Sequence, residues 1–256
     1  MGKVVACYKW VLDEADVRIG DGGSVDLSRA KGKISEYDRN AIAEACDLAS
    51  LLDEGEAVGV TFGAPSSKPS LKDALSRGLS QAYWIKGDSA SHADGFVTAT
   101  SLAEAIRCIE GVNVVVCAEG ASDTFARQTA ARIAAILDIP VVTSVMEAAV
   151  GDGKIIAKRR LEDCIETIEV PFPVVLSVLP EIIQAPIPGL KAIMAASKKP
   201  VTEFSADEFA DGKHPLCKAV GMKGSTVDRA CVRIEEDDPK ATAAAFVAAL
   251  RREGVL

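Results

Sequence analysis

Residues Val112–Thr129 read VNVVVCAEGASDTFARQT, and this stretch decides the fold class. A β-branched apolar run, Val112–Ala118, breaks at Glu119 into the small residues Gly120, Ala121 and Ser122. It then passes through Asp123 and Thr124 into a periodic apolar segment over Phe125–Asp138. A buried strand, a small-residue loop and a helix start in that order are suited to hold an anion. The first N–H groups of a helix lack intrahelical partners, and small side chains let a phosphate approach the main chain. On this reading the donors are the amides of Asp123 to Phe125 and the hydroxyls of Ser122, Thr124 and Thr129, with Arg127 and Gln128 adding charge or a hydrogen bond. The stretch has neither G-x-x-x-x-G-K-[ST] nor G-x-G-x-x-G, so spacing alone names no nucleotide. An ordinary βα turn, in which Ser122 or Asp123 merely caps the helix, reads equally well.

Working outward, strand-length apolar runs alternate with amphipathic stretches through the first half, the pattern of βαβ units and a parallel sheet. Strands are expected at 3–8, 57–61, 82–85 and 112–118. Helices are expected at 38–52, 69–77 and 95–109, their apolar residues recurring at helical spacing. Beyond the 125–138 helix the pattern changes. Val141–Val150 and Lys154–Arg160 flank Gly151-Asp152-Gly153, a hairpin signal, and 165–170 prolongs the extended run, which makes an antiparallel extension. Residues 174–179 read as another buried strand. Pro180, Pro186 and Pro188 then forbid regular structure before a short helix at 190–197. After Pro200 the strand rhythm is lost until an Ala-rich helix, 239–252, with Asp237 or Asp238 as its cap. The expected division is a nucleotide-binding α/β core over 1–200 and a C-terminal arm over 201–256 that docks on a partner.

With 256 residues, 48% of them hydrophobic, the chain can bury a large core. It contains no uninterrupted apolar run of the roughly 18 residues that a membrane span needs, and its start lacks the basic-then-apolar layout of a signal peptide. A cytoplasmic protein without a membrane span is therefore expected. Seven cysteines without C-x-x-C spacing suggest free thiols, with neither disulfides nor a metal site. A net charge of −8 disfavours nucleic-acid partners, which demand basic surface. His92 and His214 stand in polar surroundings, and no Ser/His/Asp or Cys/His set assembles, so no catalytic residue is assigned. Lys158-Arg159-Arg160 reads either as a surface for an acidic partner or a flavin, or as a solvated edge strand guarded by charge.

Four blocks occur in the order and spacing of one family: CYKWVLDEADVRI from Cys7, KISEYDRNAIAEAC from Lys33, EGASDTFARQTAARIAAIL from Glu119 and IPGLKAIMAASKKP from Ile187. From about residue 3 to about residue 204 the chain resembles the β subunit of electron transfer flavoprotein, in its FixA-like branch. The resemblance implies an adenine-nucleotide-binding, Rossmann-like α/β fold and a heterodimer with an α subunit that holds the redox-active FAD. This chain then supplies one wall of the flavin site, a nucleotide site of its own for AMP or a second FAD, and the surface met by redox partners. Carried over by position, the nucleotide site comprises Cys7, Glu36, Tyr37, Asp38, Arg39, Phe62, Ala118, Gly120, Ala121, Ser122, Asp123, Thr124, Phe125, Arg127, Gln128 and Thr129. The segment Pro180–Pro188, with Ile182 and Ile183 exposed, corresponds to the part that recognises dehydrogenases. Members of the family often carry Asn-Pro where this chain has Glu36-Tyr37, and an acidic cluster where it has Asp123-Thr124-Phe125.

The function implied is electron transfer through FAD from a flavin dehydrogenase acting on an acyl-CoA to a further redox partner, without substrate chemistry on this chain. A bifurcating variant, with a second FAD here that takes hydride from NADH, is the alternative within the family. Outside it stand an ATP-using adenylyl-transfer enzyme and a nucleotide-sensing or structural subunit. The adenylyl-transfer reading needs an S-G-G-x-D-S loop after the first strand, where this chain has Tyr8-Lys9-Trp10-Val11.

Overall fold

The computed structural model describes residues 2–209, 213–225 and 231–256. In chain order the elements are β1 (Lys3–Cys7), β2 (Trp10–Leu12), β3 (Gly32–Ile34), α1 (Glu36–Ser50), β4 (Glu56–Gly63), α2 (Pro69–Ser76), β5 (Gln81–Lys86), α3 (Gly95–Arg107) and β6 (Val112–Ala118). There follow α4 (Thr129–Leu137), β7 (Val141–Gly151), β8 (Lys154–Arg160), β9 (Ile165–Pro171), β10 (Val174–Val178), α5 (Leu190–Ala196), β11 (Val201–Ser205), α6 (Ala206–Phe209) and α7 (Pro239–Arg252). Short 3-10 turns join several of them.

Among the described residues nine strands form one sheet in the order β9-β8-β7-β10-β6-β1-β4-β5-β11. All strands from β7 across to β11 run parallel, while β8 and β9 form the antiparallel extension. Period-two alternation sorts the core into two layers. Val4 and Ala6 of β1 with Val114 and Val116 of β6 pack with Ile42 and Leu48 of α1 and Leu71 and Leu75 of α2. The opposite set, Val5, Cys7, Val115 and Cys117, packs with Leu102 and Ile106 of α3 and Ile133 of α4. Both faces of the central strands are thus covered, which is why they read as continuous apolar runs. Each fully buried Val or Ile contributes roughly 1.5–3 kcal/mol of transfer free energy.

The chain places β4 and β5 on one side of β1 and then crosses to β6 on the other. At such a reversal the loops leaving neighbouring strands part in opposite directions, and a crevice opens beyond the carboxyl ends of the strands. Cys7, at the end of β1, pairs in register with Cys117 of β6, so the crevice begins there.

Three expectations are corrected. The helix after β6 starts at Thr129, four residues later than Phe125, because Phe125 and Arg127 have left-handed φ values of 44° and 57°. Strand rhythm is not lost at Pro200: Val201–Ser205 pairs with β5 and closes that edge of the sheet. Its alternation was hidden because every residue on it is at least partly exposed. Finally, β8 is not an edge strand; it lies between β7 and β9, and Lys158, Arg159 and Arg160 pair with Glu147, Glu166 and Glu181.

The chain divides into two compact units, one of residues 1–18 and 26–222, the other of 19–25 and 223–256. The second unit contains α7, whose cap is Asp238, accepting from the N–H groups of Lys240 and Ala241. In it Gly224 N–H also donates to the Gly23 carbonyl at 2.8 Å. Among the described residues no helix is long and apolar enough to cross a membrane.

Candidate functional site

A cavity of about 300 Å³ fills the crevice beyond β1, β4 and β6, inside the first unit. It is lined by nine of the residues expected from the sequence: Cys7, Asp38, Phe62, Ala118, Gly120, Ala121, Thr124, Arg127 and Thr129. Its volume lies at the lower end of ordinary small-ligand sites.

The loop 119–128 forms one wall, and its shape follows from Phe125. The Phe125 N–H donates to the Ala121 carbonyl at 2.9 Å, closing a single turn that does not propagate. The Phe125 ring lies against Tyr37, centroids 5.2 Å apart, and the Arg127 guanidinium sits over the Phe125 ring, 5.7 Å from its centroid. Gly120 is required by this packing, since a Cβ there would stand 2.7 Å from Phe125 Cδ2. The amides of Asp123 to Phe125 therefore belong to a turn and not to a helix N-terminus. The free helix amides are those of Thr129, Ala130 and Ala131, because the first bond of α4 is Arg132 N–H to the Gln128 carbonyl.

Ser35 and Asp38 look in sequence like the start signals of α1, yet neither side chain caps it. Ser35 Oγ instead accepts from Ser122 N–H at 3.3 Å, and Asp38 Oδ2 accepts from Lys9 N–H at 2.8 Å. Both side chains tie neighbouring loops to the start of α1 and so fix two walls of the cavity.

Four carboxylates stand at or beside the cavity, an arrangement that would repel phosphate if they were free. Asp123 pairs with the Lys9 ammonium at 2.5 Å, and Glu119 pairs with Arg127. Asp94 Oδ1 caps α3 through Phe96 and Val97 N–H, while Oδ2 accepts from Leu216 N–H at 2.7 Å and Cys217 N–H at 3.1 Å. Desolvation, which would raise the Asp94 pKa, is outweighed by these four amides, and it stays below its ordinary value. Asp38 goes the other way: burial pushes it up to about 7, against the opposing pull of Lys9, so it carries only part of a charge near neutrality. Among uncharged groups, the Ser122 hydroxyl is buried with no hydrogen-bond partner among the described residues.

The other expected residues lie outside the lining. Glu36 is exposed and pairs with Lys33 at 3.2 Å; Tyr37 and Phe125 support the loop; Ser122 is held through its N–H by Ser35; and Arg39 has a buried Nε without a hydrogen-bond partner among the described residues. Gln128 accepts from Arg132, and Asp123 acts through Lys9. Sequence reasoning missed Lys9, Asp94, Gly95, Thr98 and Leu102, which also line the cavity. Asp94-Gly95 carried a usable signal, a cap and helix start following a strand, the same logic that singled out 119–129.

A second cavity of about 380 Å³ shares Glu119 and Arg127 with the first and is otherwise lined by Ser144, Arg160, Leu161, Glu162 and Leu179. On the adjoining segment, Ile182 and Ile183 are half-buried, Ile182 against the core, and not exposed as expected. The side chain that projects is Ile187, 95% exposed between Pro186 and Pro188. Ile182 ends a short 3-10 turn that returns its side chain to the sheet, which proline spacing alone does not reveal.

The family model described as the electron transfer flavoprotein domain matches residues 23–209, well over half of the chain. The chain belongs to the electron transfer flavoprotein family. The matched span takes in the first turn of α1, the start of α3 and the whole 119–129 loop. The family generally binds flavin and AMP, and the cavity residues fit an adenine mononucleotide. The free Thr129 amide at the start of α4 and the Thr124 and Thr129 hydroxyls suit a phosphate, while Phe62 and Leu102 offer apolar surface to a base.

Proposed function

We propose that this chain is the β subunit of a heterodimeric electron transfer flavoprotein. It binds AMP in the 119–129 cavity, lends one wall to the FAD held by an α subunit, and takes electrons from a flavin dehydrogenase acting on an acyl-CoA for delivery to a further redox partner. The observation that carries this reading is the cavity at the strand-order reversal, where the carboxylates beside the phosphate donors are paired, pinned by amides or, for Asp38, only partly charged near neutrality.

In this reading the nucleotide is structural. Phosphate is held by Thr124, Thr129 and the first amides of α4, and Asp38 meets the ribose hydroxyls or the exocyclic amine. The Lys9–Asp123 pair keeps the loop over the ligand. The flavin, when bound, supplies one- and two-electron transfer. The residues of this chain bind, orient and exclude water, and none moves a substrate proton. Ile187 serves as the apolar anchor of the docking segment 180–188, and the second unit serves as an arm against the α subunit.

A second FAD in place of AMP, with NADH as hydride donor, is the second reading. It is favoured by the adjoining cavity: displacement of the Glu119–Arg127 pair would join the two spaces and admit a longer ligand. The test is to co-express the chain with an α subunit, release nucleotides by denaturation and quantify them. One FAD and one AMP per heterodimer support the conventional carrier. Two FAD without AMP support the second reading, and FAD alone removes the assignment at 119–129.

A further inference from the structure

Residues 180–182 form one 3-10 turn, closed by Ile182 N–H to the Leu179 carbonyl at 3.2 Å, and from there to 188 the segment has no regular structure of its own. Pro180, Pro186 and Pro188 have no N–H, and the remaining main-chain groups have no strand to pair with. One side chain outside the segment ties the turn to the irregular part. Asn40, in the second turn of α1, donates from Nδ2 to the Pro180 carbonyl at 2.8 Å and accepts at Oδ1 from Ala185 N–H at 3.1 Å. A carbonyl on one side and an N–H on the other fix the orientation of the amide, so the two bonds act as a clamp across the base of the loop.

We infer that Asn40 is the positioning residue of the docking segment: its side-chain amide closes residues 180–185 against α1 and thereby aims Ile187 at the dehydrogenase. This inference rests on the docking role proposed above for that segment. Ile187 leaves the clamp two residues after Ala185, and between them stands only Pro186, whose fixed φ transmits the orientation. The other polar tie on the segment, Arg160 to Glu181, is solvent-exposed on both sides and worth little by comparison. Asn40 also lies two residues from Asp38, so the first turns of α1 carry both a wall of the nucleotide cavity and the clamp of the docking loop.

The test uses the assembled heterodimer with its FAD, reduced by an acyl-CoA dehydrogenase charged with its acyl-CoA. Asn40→Leu keeps the side-chain size and removes donor and acceptor together. Asn40→Asp keeps the acceptor for Ala185 and sets an oxygen against the Pro180 carbonyl. For Asn40→Leu we expect KM for the heterodimer to rise about tenfold, and exchange of the Ala185 amide to quicken by a similar factor, the loss of two half-buried hydrogen bonds. The limiting rate, the flavin potential and the nucleotide content should stay as in the wild type, a split that general destabilisation would not give. Asn40→Asp should fall between the two, and it decides alone if Asn40→Leu does not assemble. A wild-type KM in these variants overturns the inference. Ile187→Ala separates the two claims. If it raises KM while Asn40→Leu does not, the clamp is wrong and the docking role stands. If it leaves KM unchanged, or if the dehydrogenase does not reduce the wild type, the docking role itself falls.

Discussion

Asp38, in the first turn of α1, has 6% of its surface exposed, and burial raises its carboxyl to about 7 against the opposing N–H and ammonium of Lys9. In the unfolded chain the same group ionises near its ordinary value of about 3.9. Between those two pH values the folded state holds a proton that the unfolded state has lost, so the contribution of Asp38 to stability falls as pH rises and levels off above about 7. Asp38→Asn keeps an acceptor for Lys9 N–H and removes the titration. Its stability should match the wild type near pH 4 and exceed it by up to about 4 kcal/mol above pH 7, as read from urea denaturation across that range. Glu44, raised to about 7 by burial on the same helix, adds a slope of its own, so only the difference between variant and wild type isolates Asp38. An advantage that does not change with pH would mean that Asp38 is ionised throughout. The sequence pointed to Asp38 without its behaviour, because an acid at a helix start reads as a favourable first-turn charge unless one knows that it faces inward.

At the scale of elements, legibility followed periodicity. The central parallel strands β1, β4, β5, β6 and β10 and the helices α1 to α3 were readable because both faces of the sheet are covered there and each helix buries one stripe. The α4 start was not: Phe125 and Arg127 have ordinary side chains, and their left-handed backbone follows from the packing of one ring between Tyr37 and Gly120. Asp94 was missed for a related reason, since its second oxygen binds a segment more than a hundred residues away. That arrangement allows a selective test. Asp94→Asn retains the Oδ1 cap on α3 but presents an NH₂ to the N–H groups of Leu216 and Cys217. Hydrogen exchange should show both amides losing protection while α3 keeps its own, with a stability loss of about 1–2 kcal/mol. Protection retained at Leu216 and Cys217 would show that the segment is held by other contacts.

For the whole molecule, the division of labour follows from where burial is found. The first unit carries the layered core, the cavity beyond β1, β4 and β6, and the segment 180–188. The second carries α7, in which Ala243, Phe246, Val247 and Leu250 repeat at helical spacing with no residue buried. A single helix of 14 residues without a packed face is marginal in water, since helical stability in proteins comes mostly from tertiary contact. Its cap at Asp238 and the arginines Arg251 and Arg252 in its last turn favour the helix, yet each is worth only about 1 kcal/mol or less. Amides of α7 in the isolated chain should therefore exchange nearly as fast as unfolded peptide, while those of β1 and β6 stay protected. Assembly with an α subunit should slow α7 exchange by two or more orders of magnitude if its apolar stripe is the docking face. Phe246→Ser should then weaken assembly and leave the nucleotide content of the surviving heterodimer unchanged, because the cavity lies wholly in the other unit. Unchanged exchange at α7 on assembly would remove the arm from the subunit interface and leave the stripe without that role.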